Sequence, residues 1–325
     1  MFNERHTWAV ILAGGNGGRM RGLIEEWLGY ARPKQFCVFV GTRSMLQHTL
    51  DRVLRLIHPD RIITVIGEGQ RRFLVSACRG RLPGWLIEQP QARGTAAAVL
   101  IATAVIRTLD PDATLLILPS DHFAWPESGF IDHLDNLISF ASTTPDRLAV
   151  LAAEPTAPEA DYGWIETGGP ARSAALDCNN FREVLRFREK PSLGEAIEYL
   201  HRGYLWNTMA SAVTAKTLWT LGEQLLPRFT QSLSQLTLPS RSATSELGCI
   251  EIPSSSLKAT YMGLADADFS RDLLQKSPWK VAATPLQHVA WSDWGRPRRI
   301  LDSLSDLGKS PHFLNGHERL AGVFA

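Results

Sequence analysis

The sequence lacks the cysteine and histidine spacings that mark disulfide-rich and metal-bound proteins. Its four cysteines, at positions 37, 78, 178 and 249, lie far apart and form no CxxC pair. The nine histidines show no HExxH or HxxxH spacing. We therefore expect free thiols in a reducing compartment, Cys178 included, and no transition-metal centre.

Long apolar runs and a strong charge of one sign are also missing. The first apolar run, 8–13, is far shorter than the ~20 residues of a membrane span and is too short for a signal-peptide core. The formal net charge is +1, so bulk charge favours neither a nucleic-acid nor a membrane partner. Hydrophobic residues make up 44% and charged residues 21%, as in ordinary globular proteins. We predict a cytoplasmic protein without a membrane or nucleic-acid partner.

What the sequence does have is a regular alternation of short apolar runs and longer amphipathic stretches. Strands are predicted over 8–13, 61–66, 85–88, 114–118 and 148–152, and helices over 45–57, 70–78, 95–109 and 128–140. This alternation predicts an α/β fold, a three-layer α/β/α sandwich around a mostly parallel, Rossmann-like sheet.

The regular alternation of predicted strands and helices ends after residue 155. The later predicted elements are strands over 162–166 and 184–189, a connecting excursion at 170–181, and helices near 193–202 and 214–226. From about 230 to 260 Ser, Thr and Pro become frequent, which indicates loops around short elements. We predict a core over 1–230 and a C-terminal part over 231–325 that completes the same site and ends in a short extension.

A glycine-rich segment follows the first predicted strand, in the order Ala13-Gly14-Gly15-Asn16-Gly17-Gly18-Arg19. Consecutive glycines let a backbone approach a polyphosphate, and successive amide groups can form an anion-binding concavity. The segment is not a Walker A loop, because no Gly-Lys-Ser/Thr follows. Met20 occupies the position at which a dinucleotide fingerprint needs its third glycine. A plain glycine-rich surface turn stays open as the alternative.

Further blocks supply charges and a helix start that suit a phosphate ligand. Lys34 lies in the run RPKQF, and the segment 88–95 enters a predicted helix, where backbone donors face a ligand. Asp121 follows a predicted parallel strand, at the sheet edge where open α/β proteins bind ligands. Asp293 offers a second carboxylate, and two carboxylates with phosphate oxygens suit Mg²⁺. A lone Asp after a strand is, however, more often a turn or helix-capping residue.

Eight blocks in order resemble the bacterial mannose-1-phosphate guanylyltransferases. They read LAGGNGGR, RPKQF, EQPQARGTAAA, LPSDH, YGWIE, FREKP, YLWN and WSDWG, over roughly residues 8 to 295. The resemblance implies a fold of the nucleotide-diphospho-sugar transferase type. It also implies that GTP and mannose 1-phosphate are joined into GDP-mannose and pyrophosphate, with Mg²⁺ as cofactor. A homo-oligomer is left open.

Carried over block by block, the resemblance implies four sets of site residues. Arg19 and Lys34 would be the catalytic cations, and Asp121 and Asp293 the Mg²⁺ ligands. The residues implied to bind the nucleotide are Ala13, Gly14, Gly15, Gly17, Gln89, Arg93, Gly94, Thr95 and Ser120. Those implied to bind the sugar phosphate are Gly163, Glu189, Lys190 and Asn207.

Departures from the family pattern keep other functions open. Gly94 stands where the family has Asn, Met209 where it has Gly, and Arg296-Pro297 where it has Ser-Trp. The first two leave open another hexose 1-phosphate or nucleotide, and a catalytically inactive nucleotide-sugar-binding regulator is a further alternative. Asn207 has the plainer alternative of capping a helix. Because little sequence follows the last block, we expect no isomerase domain.

Overall fold

A computed structural model describes residues 6–78, 81–171, 180–236, 238 and 245–314. The strands are β1 (Thr7–Leu12), β2 (Ile62–Gly67), β3 (Trp85–Gln89), β4 (Thr114–Pro119), β5 (Phe123–Trp125), β6 (Leu148–Ala153), β7 (Gly163–Pro170), β8 (Arg182–Glu189), β9 (Leu205–Thr214), β10 (Ile250–Ile252), β11 (Val281–Pro285) and β12 (Ala290–Ser292). The α-helices are α1 (Arg21–Leu28), α2 (Met45–Val53), α3 (Arg71–Ala77), α4 (Gly94–Leu109), α5 (Glu127–Thr143), α6 (Leu193–His201), α7 (Ala215–Leu225), α8 (Pro227–Leu233), α9 (Ser254–Tyr261) and α10 (Pro297–Ser305). A π-helical turn spans Ser270–Leu274.

Ten of the described strands form one sheet, in the order β10-β3-β2-β1-β4-β9-β6-β11-β8-β7. The strands from β10 to β4 are parallel neighbours. Strand β9 runs antiparallel to β4 and β6, and β8 runs antiparallel to β11 and β7. Within the described sheet, β8 and β9 therefore run against the other strands. The predicted, mostly parallel sheet is confirmed.

Helices cover both faces of this sheet. On one face α4, α7 and α8 pack on side chains such as Val10 and Leu115. On the other face α2, α3 and α5 pack on Ile11 and Leu116. Successive strand residues point to opposite faces, and a strand buried on both faces reads as an unbroken apolar run. This is why β1 and β4 were recognisable in the sequence, and the three-layer α/β/α architecture is confirmed.

Capping residues explain where two of the helices begin. The Ser44 hydroxyl accepts from the Gln47 backbone at 3.2 Å while the Gln47 side chain accepts from the Ser44 backbone at 2.8 Å. Ser192 and Glu195 form the same reciprocal box at the start of α6. Each box satisfies amide groups that a helix start leaves without partners. None of the described helices combines the length and apolar character that crossing a bilayer requires.

The chain after residue 155 departs from the predicted elements in one respect that matters for the site. Strand β9 lies in the middle of the sheet, although the sequence pattern predicts no strand there. Its polar residues Asn207, Thr208 and Ser211 are buried, so it shows neither an apolar run nor an alternation. Residues 172–179 of the predicted excursion, and Cys178 with them, lie outside the described residues.

Strands from beyond residue 230 join the same sheet. Strand β10 pairs with β3, and β11 lies between β6 and β8. The short strand β12 pairs with β5 in a separate ribbon, with Ser292 opposite Phe123. This ribbon carries Asp293 to the turn that holds Asp121. Residues on both sides of the predicted boundary at residue 230 thus form one sheet, and both contribute to the sheet edge that carries the candidate site.

Candidate active site

The glycine-rich segment lies at the carboxyl ends of β1 and β4, where Leu12 is paired with Pro119. Two buried glutamines hold its carbonyl groups. The Gln35 amide donates to the carbonyl oxygens of Ala13 and Gly15 at 2.6 and 2.8 Å, and the Gln70 amide donates to that of Gly14 at 3.2 Å. These hydrogen bonds from within the protein fix the shape of the loop.

Lys34 connects three of the sequence blocks. Its side chain is 5% exposed, and its Nζ donates to Asp121 Oδ2 at 2.9 Å and to the Asp293 carbonyl oxygen. Gly17, at φ +62°, lies so close that a Cβ there would be 3.1 Å from the Lys34 backbone nitrogen. Lys34 thus joins the glycine-rich loop to the Asp121 carboxylate and to the backbone of Asp293.

Asp121 is ionised and partly open to solvent. Burial opposes its charge, but the neighbouring Lys34 ammonium holds its pKa below the ordinary value. Burial lowers the pKa of His122, whose ring packs edge-on against Trp291 at 5.2 Å. His122 is therefore a neutral neighbour at pH 7, and its lowered pKa makes it a poor proton acceptor.

Asp293 is more enclosed than Asp121, with 9% of its side chain exposed. Its Oδ1 accepts from the Tyr162 hydroxyl at 2.7 Å, the Gly295 backbone at 2.9 Å and Arg299 Nη1 at 2.6 Å. Its Oδ2 accepts from Arg19 Nη2 at 3.0 Å. Burial alone would raise the pKa of Asp293, but Arg299 and Lys34 hold it far below the usual range. The carboxylate is a permanent anion.

The two carboxylates differ in how they suit a divalent cation. Asp121 has 32% of its side chain exposed and accepts from Lys34, so its oxygens keep room for a cation that also takes phosphate oxygens. The Asp293 oxygens already accept four hydrogen bonds, two of them from guanidinium groups. As arranged, the site suits Mg²⁺ at Asp121 and does not suit it at Asp293. The assignment of both residues as ligands stays a prediction.

The predicted sugar-phosphate residues lie close together, beside the cluster of Lys34, Asp121 and Asp293. A Cβ on Gly163 would lie 2.6 Å from Glu189 Oε2 and 3.2 Å from Asn207 Cβ. Lys190, at φ +46°, places its Nζ 3.7 Å from Glu189 Oε1. Because Tyr162 donates to Asp293 and the next residue contacts Glu189, the two clusters adjoin.

Asn207 lies within β9 and is not a helix cap, so that alternative is wrong. Its amide donates to the Ser270 hydroxyl at 3.2 Å, and its Oδ1 accepts from the Met209 backbone at 3.1 Å. Met209 has φ +63°, and its sulfur lies 3.0 Å from Ser270 Oγ. The π-helical turn, which begins at Ser270, thus forms one wall of the cluster of Gly163, Glu189 and Asn207, called the sugar-side cluster below.

The predicted nucleotide-binding residues between positions 89 and 95 lie in two different places. A Cβ on Gly14 would lie 3.2 Å from Gln89 Oε1, so Gln89 adjoins the glycine-rich loop. Arg93 pairs with Asp266 at 3.3 Å, and the Thr95 hydroxyl donates to Asp268 at 3.1 Å. These contacts tie the start of α4 to the segment 266–269.

Two further predicted nucleotide residues are held by backbone contacts. Gly94, at φ +77°, lies against Ala267, whose carbonyl oxygen would be 2.1 Å from a Cβ there. The Ser120 hydroxyl donates to the Leu12 carbonyl at 2.8 Å. Their roles in nucleotide binding stay predictions.

Several residues at the site were not predicted. Tyr162 lay inside a recognised block, and Gln35 inside another, but neither was assigned a role. Arg299 stands in the stretch that departs from the family pattern, and Gln70 carries no local signal. Their contacts come from distant parts of the chain and are set only by folding.

A mixed sheet with a glycine-rich loop, a buried lysine and carboxylates at one edge is the arrangement expected of a phosphate-binding α/β protein. The nucleotidyl transferase family model matches residues 8–310, and the chain belongs to this family. It is 37% identical over 203 residues to the mannose-1-phosphate guanylyltransferase of Salmonella montevideo, and 33% identical over 203 residues to the xanthan biosynthesis protein XanB of Xanthomonas campestris. These matches cover 61% of this chain and 41% and 40% of the relatives, so the chain spans less than half their length.

Solved structures agree with this family membership. The mannose-1-phosphate geranyltransferase from Thermus thermophilus is 26% identical, with a TM-score of 0.74 over 92% of this chain and 79% of that chain. The inositol-1-phosphate CTP transferase from T. maritima has a TM-score of 0.57 at 14% identity, covering 93% of this chain and 94% of that chain. At that identity the second likeness concerns the fold alone, and the predicted nucleotide-diphospho-sugar transferase fold is confirmed.

Proposed function

We propose that this protein joins GTP and mannose 1-phosphate into GDP-mannose and releases pyrophosphate. The observation that carries the proposal is the position of Lys34. It is buried between the glycine-rich loop, the Asp121 carboxylate and the Asp293 backbone, beside the cluster of Gly163, Glu189 and Asn207. Relatives named mannose-1-phosphate guanylyltransferase support the choice of substrates. The proposed setting is the cytoplasm, and a homo-oligomer stays open.

The reaction is an in-line displacement at phosphorus. An oxygen of the sugar phosphate attacks the α-phosphorus of GTP and forms a new P–O bond. The bond from the α-phosphorus to the bridging oxygen breaks, and pyrophosphate leaves with the electron pair. The protein supplies little covalent chemistry, so positioning and charge neutralisation provide most of the rate.

The charged residues have distinct parts in this displacement. The glycine-rich loop receives the triphosphate, and Arg19, with 49% of its side chain exposed, reaches the phosphates from the solvent side. Lys34 lies beneath the loop as a fixed, desolvated charge, where an electrostatic contact is stronger than in water. Asp121, the open carboxylate, would hold Mg²⁺. When bound there, the cation would neutralise phosphate charge.

The sugar side is built for hydroxyl groups and one phosphate. The Glu189 carboxyl group accepts hydrogen bonds from sugar hydroxyls, and the Asn207 amide can both donate and accept. Lys190 has 63% of its side chain exposed and is the cation beside them. Its ammonium group provides the charge partner for the sugar phosphate.

A different hexose 1-phosphate is the second candidate, and Met209 favours it. Its sulfur contacts Ser270 and its backbone donates to Asn207, so its side chain borders the sugar-side cluster. A bulky thioether at this place reduces the space beside the sugar and so favours one sugar epimer over another. The nucleotide choice is open in the same way, because Gly94 replaces an Asn and its surroundings leave no space for a side chain.

The test is pyrophosphate release by the purified protein with Mg²⁺, over four nucleoside triphosphates crossed with several hexose 1-phosphates. We expect turnover with GTP and mannose 1-phosphate, and a loss of at least about 100-fold in Asp121→Asn. Asp306→Asn, at an exposed aspartate, is the matched control and should keep the parental rate.

Each other outcome points to a defined alternative. Turnover with a different pair keeps the displacement and moves the specificity to Gly94 and Met209. Binding of nucleotide without turnover of any pair contradicts the proposal and supports a nucleotide-sugar-binding regulator. Equal rates in Asp121→Asn and in the parent would contradict the role of Asp121.

A further inference from the structure

The Asp293 carboxylate is surrounded by donors from three parts of the chain. Tyr162 and Gly295 fix Oδ1 with neutral hydrogen bonds, at 2.7 and 2.9 Å. Arg299 adds a charged one to the same oxygen at 2.6 Å, and Arg19 holds Oδ2 at 3.0 Å. Three of the four donors are on Oδ1, which leaves that oxygen no free lone pair for a cation, and one is on Oδ2.

One side of Oδ2 is closed by the backbone. A Cβ placed on Gly295 would lie 2.4 Å from Asp293 Oδ2 and 2.6 Å from Arg19 Nη2. The Gly295 backbone therefore packs directly against this ion pair. A cation on Oδ2 would therefore lie close to the Arg19 guanidinium.

Arg299 is itself held in place. Its Nη2 contacts Glu159 Oε2 at 2.6 Å, and its guanidinium lies 4.6 Å from the centre of the Tyr162 ring. Pro297 occupies the first turn of α10, which begins there and places Arg299 within that turn. Only 14% of the Arg299 side chain is exposed. Arg299 is a built-in component of the site rather than a mobile surface cation.

We propose that Arg299 occupies, at Asp293, the place of a divalent cation, so that the cation of this protein is bound by Asp121 and substrate phosphate oxygens without Asp293. The inference deepens the proposed function and rests on it for the phosphate partner. Asp293 is then a positioning residue, which holds Arg19 beside the phosphate site through a direct hydrogen bond.

Charge and geometry both support cation binding at Asp121 rather than at Asp293. A dication on Asp293 would stand within contact distance of two guanidinium groups, and like charges at that separation repel strongly in a desolvated site. Asp121 faces one ammonium group, from Lys34, and is the more exposed carboxylate. Mg²⁺ commonly takes one or two protein carboxylates and completes its shell with water and phosphate.

The experiment is a titration of the whole chain with Mn²⁺ alone, in which electron paramagnetic resonance measures the unbound ion. We expect Asp121→Asn to lower the Mn²⁺ affinity about tenfold or more, and Asp293→Asn to change it less than about threefold. Arg299→Met removes the competing charge and should raise the affinity about fivefold or more. Arg299→Lys keeps the charge and should stay close to the parent.

Arg298→Met is the matched control, since Arg298 pairs with Asp302 on the exposed side of α10 at 2.9 Å and should leave Mn²⁺ binding unchanged. Equal losses in Asp121→Asn and Asp293→Asn would overturn the inference, because both carboxylates would then ligate the ion. An unchanged affinity in Arg299→Met would overturn it too. If Asp293→Asn does not fold, the comparison of Arg299→Met with Arg299→Lys decides.

This readout is separate from that of the proposed function. The titration contains neither nucleotide nor sugar phosphate, so it reports on the carboxylates even if GTP and mannose 1-phosphate prove to be the wrong substrates. If no substrate pair is turned over but the variants change Mn²⁺ affinity as expected, the proposed reaction is refuted. The inference that Asp121 binds the cation without Asp293 then still holds.

Discussion

At the scale of single residues, Glu189 is a carboxylate whose surroundings disfavour its charge. Burial and the nearby Asp268 raise its pKa to about 7, and Lys190 opposes the shift. Only 12% of its side chain is exposed. In the unfolded chain the same group has an ordinary pKa of 4.5. Between these two values the folded protein binds a proton that the unfolded chain has released.

This difference predicts a pH-dependent stability. Because the folded pKa is the higher one, the contribution of Glu189 is favourable at low pH and is lost as pH rises from about 4.5 through about 7. Glu189→Gln removes this dependence. Urea unfolding should show the variant more stable than the parent at pH 8, by up to about 3 kcal/mol, and nearly equal to it at pH 4.5.

Glu198→Gln, at an exposed glutamate on α6, is the control and should leave the pH dependence as in the parent. A stability difference between parent and Glu189→Gln that stays constant over this range would contradict the prediction.

The sequence identified the charged residues of the site but not the state of each. Lys34, Asp121 and Asp293 stand in recognisable blocks. The difference between the partly exposed Asp121 carboxylate and the enclosed Asp293 carboxylate, however, depends on Arg19 and Arg299. Arg19 and Asp293 are 274 positions apart. Contacts at that separation follow from the tertiary fold and leave no local pattern.

At the scale of secondary-structure elements, the start of α4 is fixed by its contact with the segment 266–269. Ala96 donates its backbone N–H to the Ala267 carbonyl at 3.1 Å, and Ala267 donates to the Arg93 carbonyl at 3.1 Å. Gly94 lies between them with no room for a side chain. The glycine that departs from the family pattern is therefore needed for this docking.

Two glycines with the same backbone angle allow a matched test. Gly94 and Gly29 both have φ +77°, but a Cβ on Gly29 would meet nothing within 4 Å. Gly29→Ala should cost about 1 kcal/mol, the strain of the left-handed conformation alone. Gly94→Ala should cost about 3 kcal/mol or more, because the backbone of Ala267 must also move. Chemical denaturation measures both, and equal losses would show that the contact with Ala267 is not restrictive.

Strand β9 shows why one central element escaped prediction. Its residues 207, 208 and 211 are polar and buried, and two of them use their hydrogen-bonding capacity locally. The Thr208 hydroxyl donates to the Leu151 carbonyl at 2.7 Å, and Asn207 pairs with Ser270. A buried strand with paired polar side chains has no hydrophobic periodicity. The apolar parallel strands before residue 155 and the helices α2 to α7 were, by contrast, predicted within a few residues, whereas α1, α8 to α10, β10 and β11 were not predicted.

At the scale of the whole molecule, the sheet depends on strands from both sides of residue 230. Strand β11 separates β6 from β8, and without it β8 loses its neighbour on that side of the sheet. Strand β10 covers the edge of β3. An unpaired sheet edge promotes aggregation, and the lost apolar contacts reduce the core.

A fragment ending at residue 236 should therefore not fold alone. We expect it to lack a cooperative thermal transition in near-UV circular dichroism, while the full chain, measured beside it, shows one. A cooperative transition of the fragment near the temperature of the full chain would contradict this dependence. It would then support a core over 1–230 that is stable by itself.

The sequence by itself determined the α/β class, the order of the parallel strands before residue 155 and of the helices α2 to α7, and the blocks that carry the site. These features are local: apolar runs, helical periodicity, glycines and charges at fixed spacing. The tertiary structure alone decided that β9 is central, that Asp293 is occupied by Arg19 and Arg299 while Asp121 is open, and that Gly94 docks on Ala267. The physical reason is that each of these depends on side chains and backbone groups far apart in sequence, whose desolvation and pairing are settled only when the chain has folded.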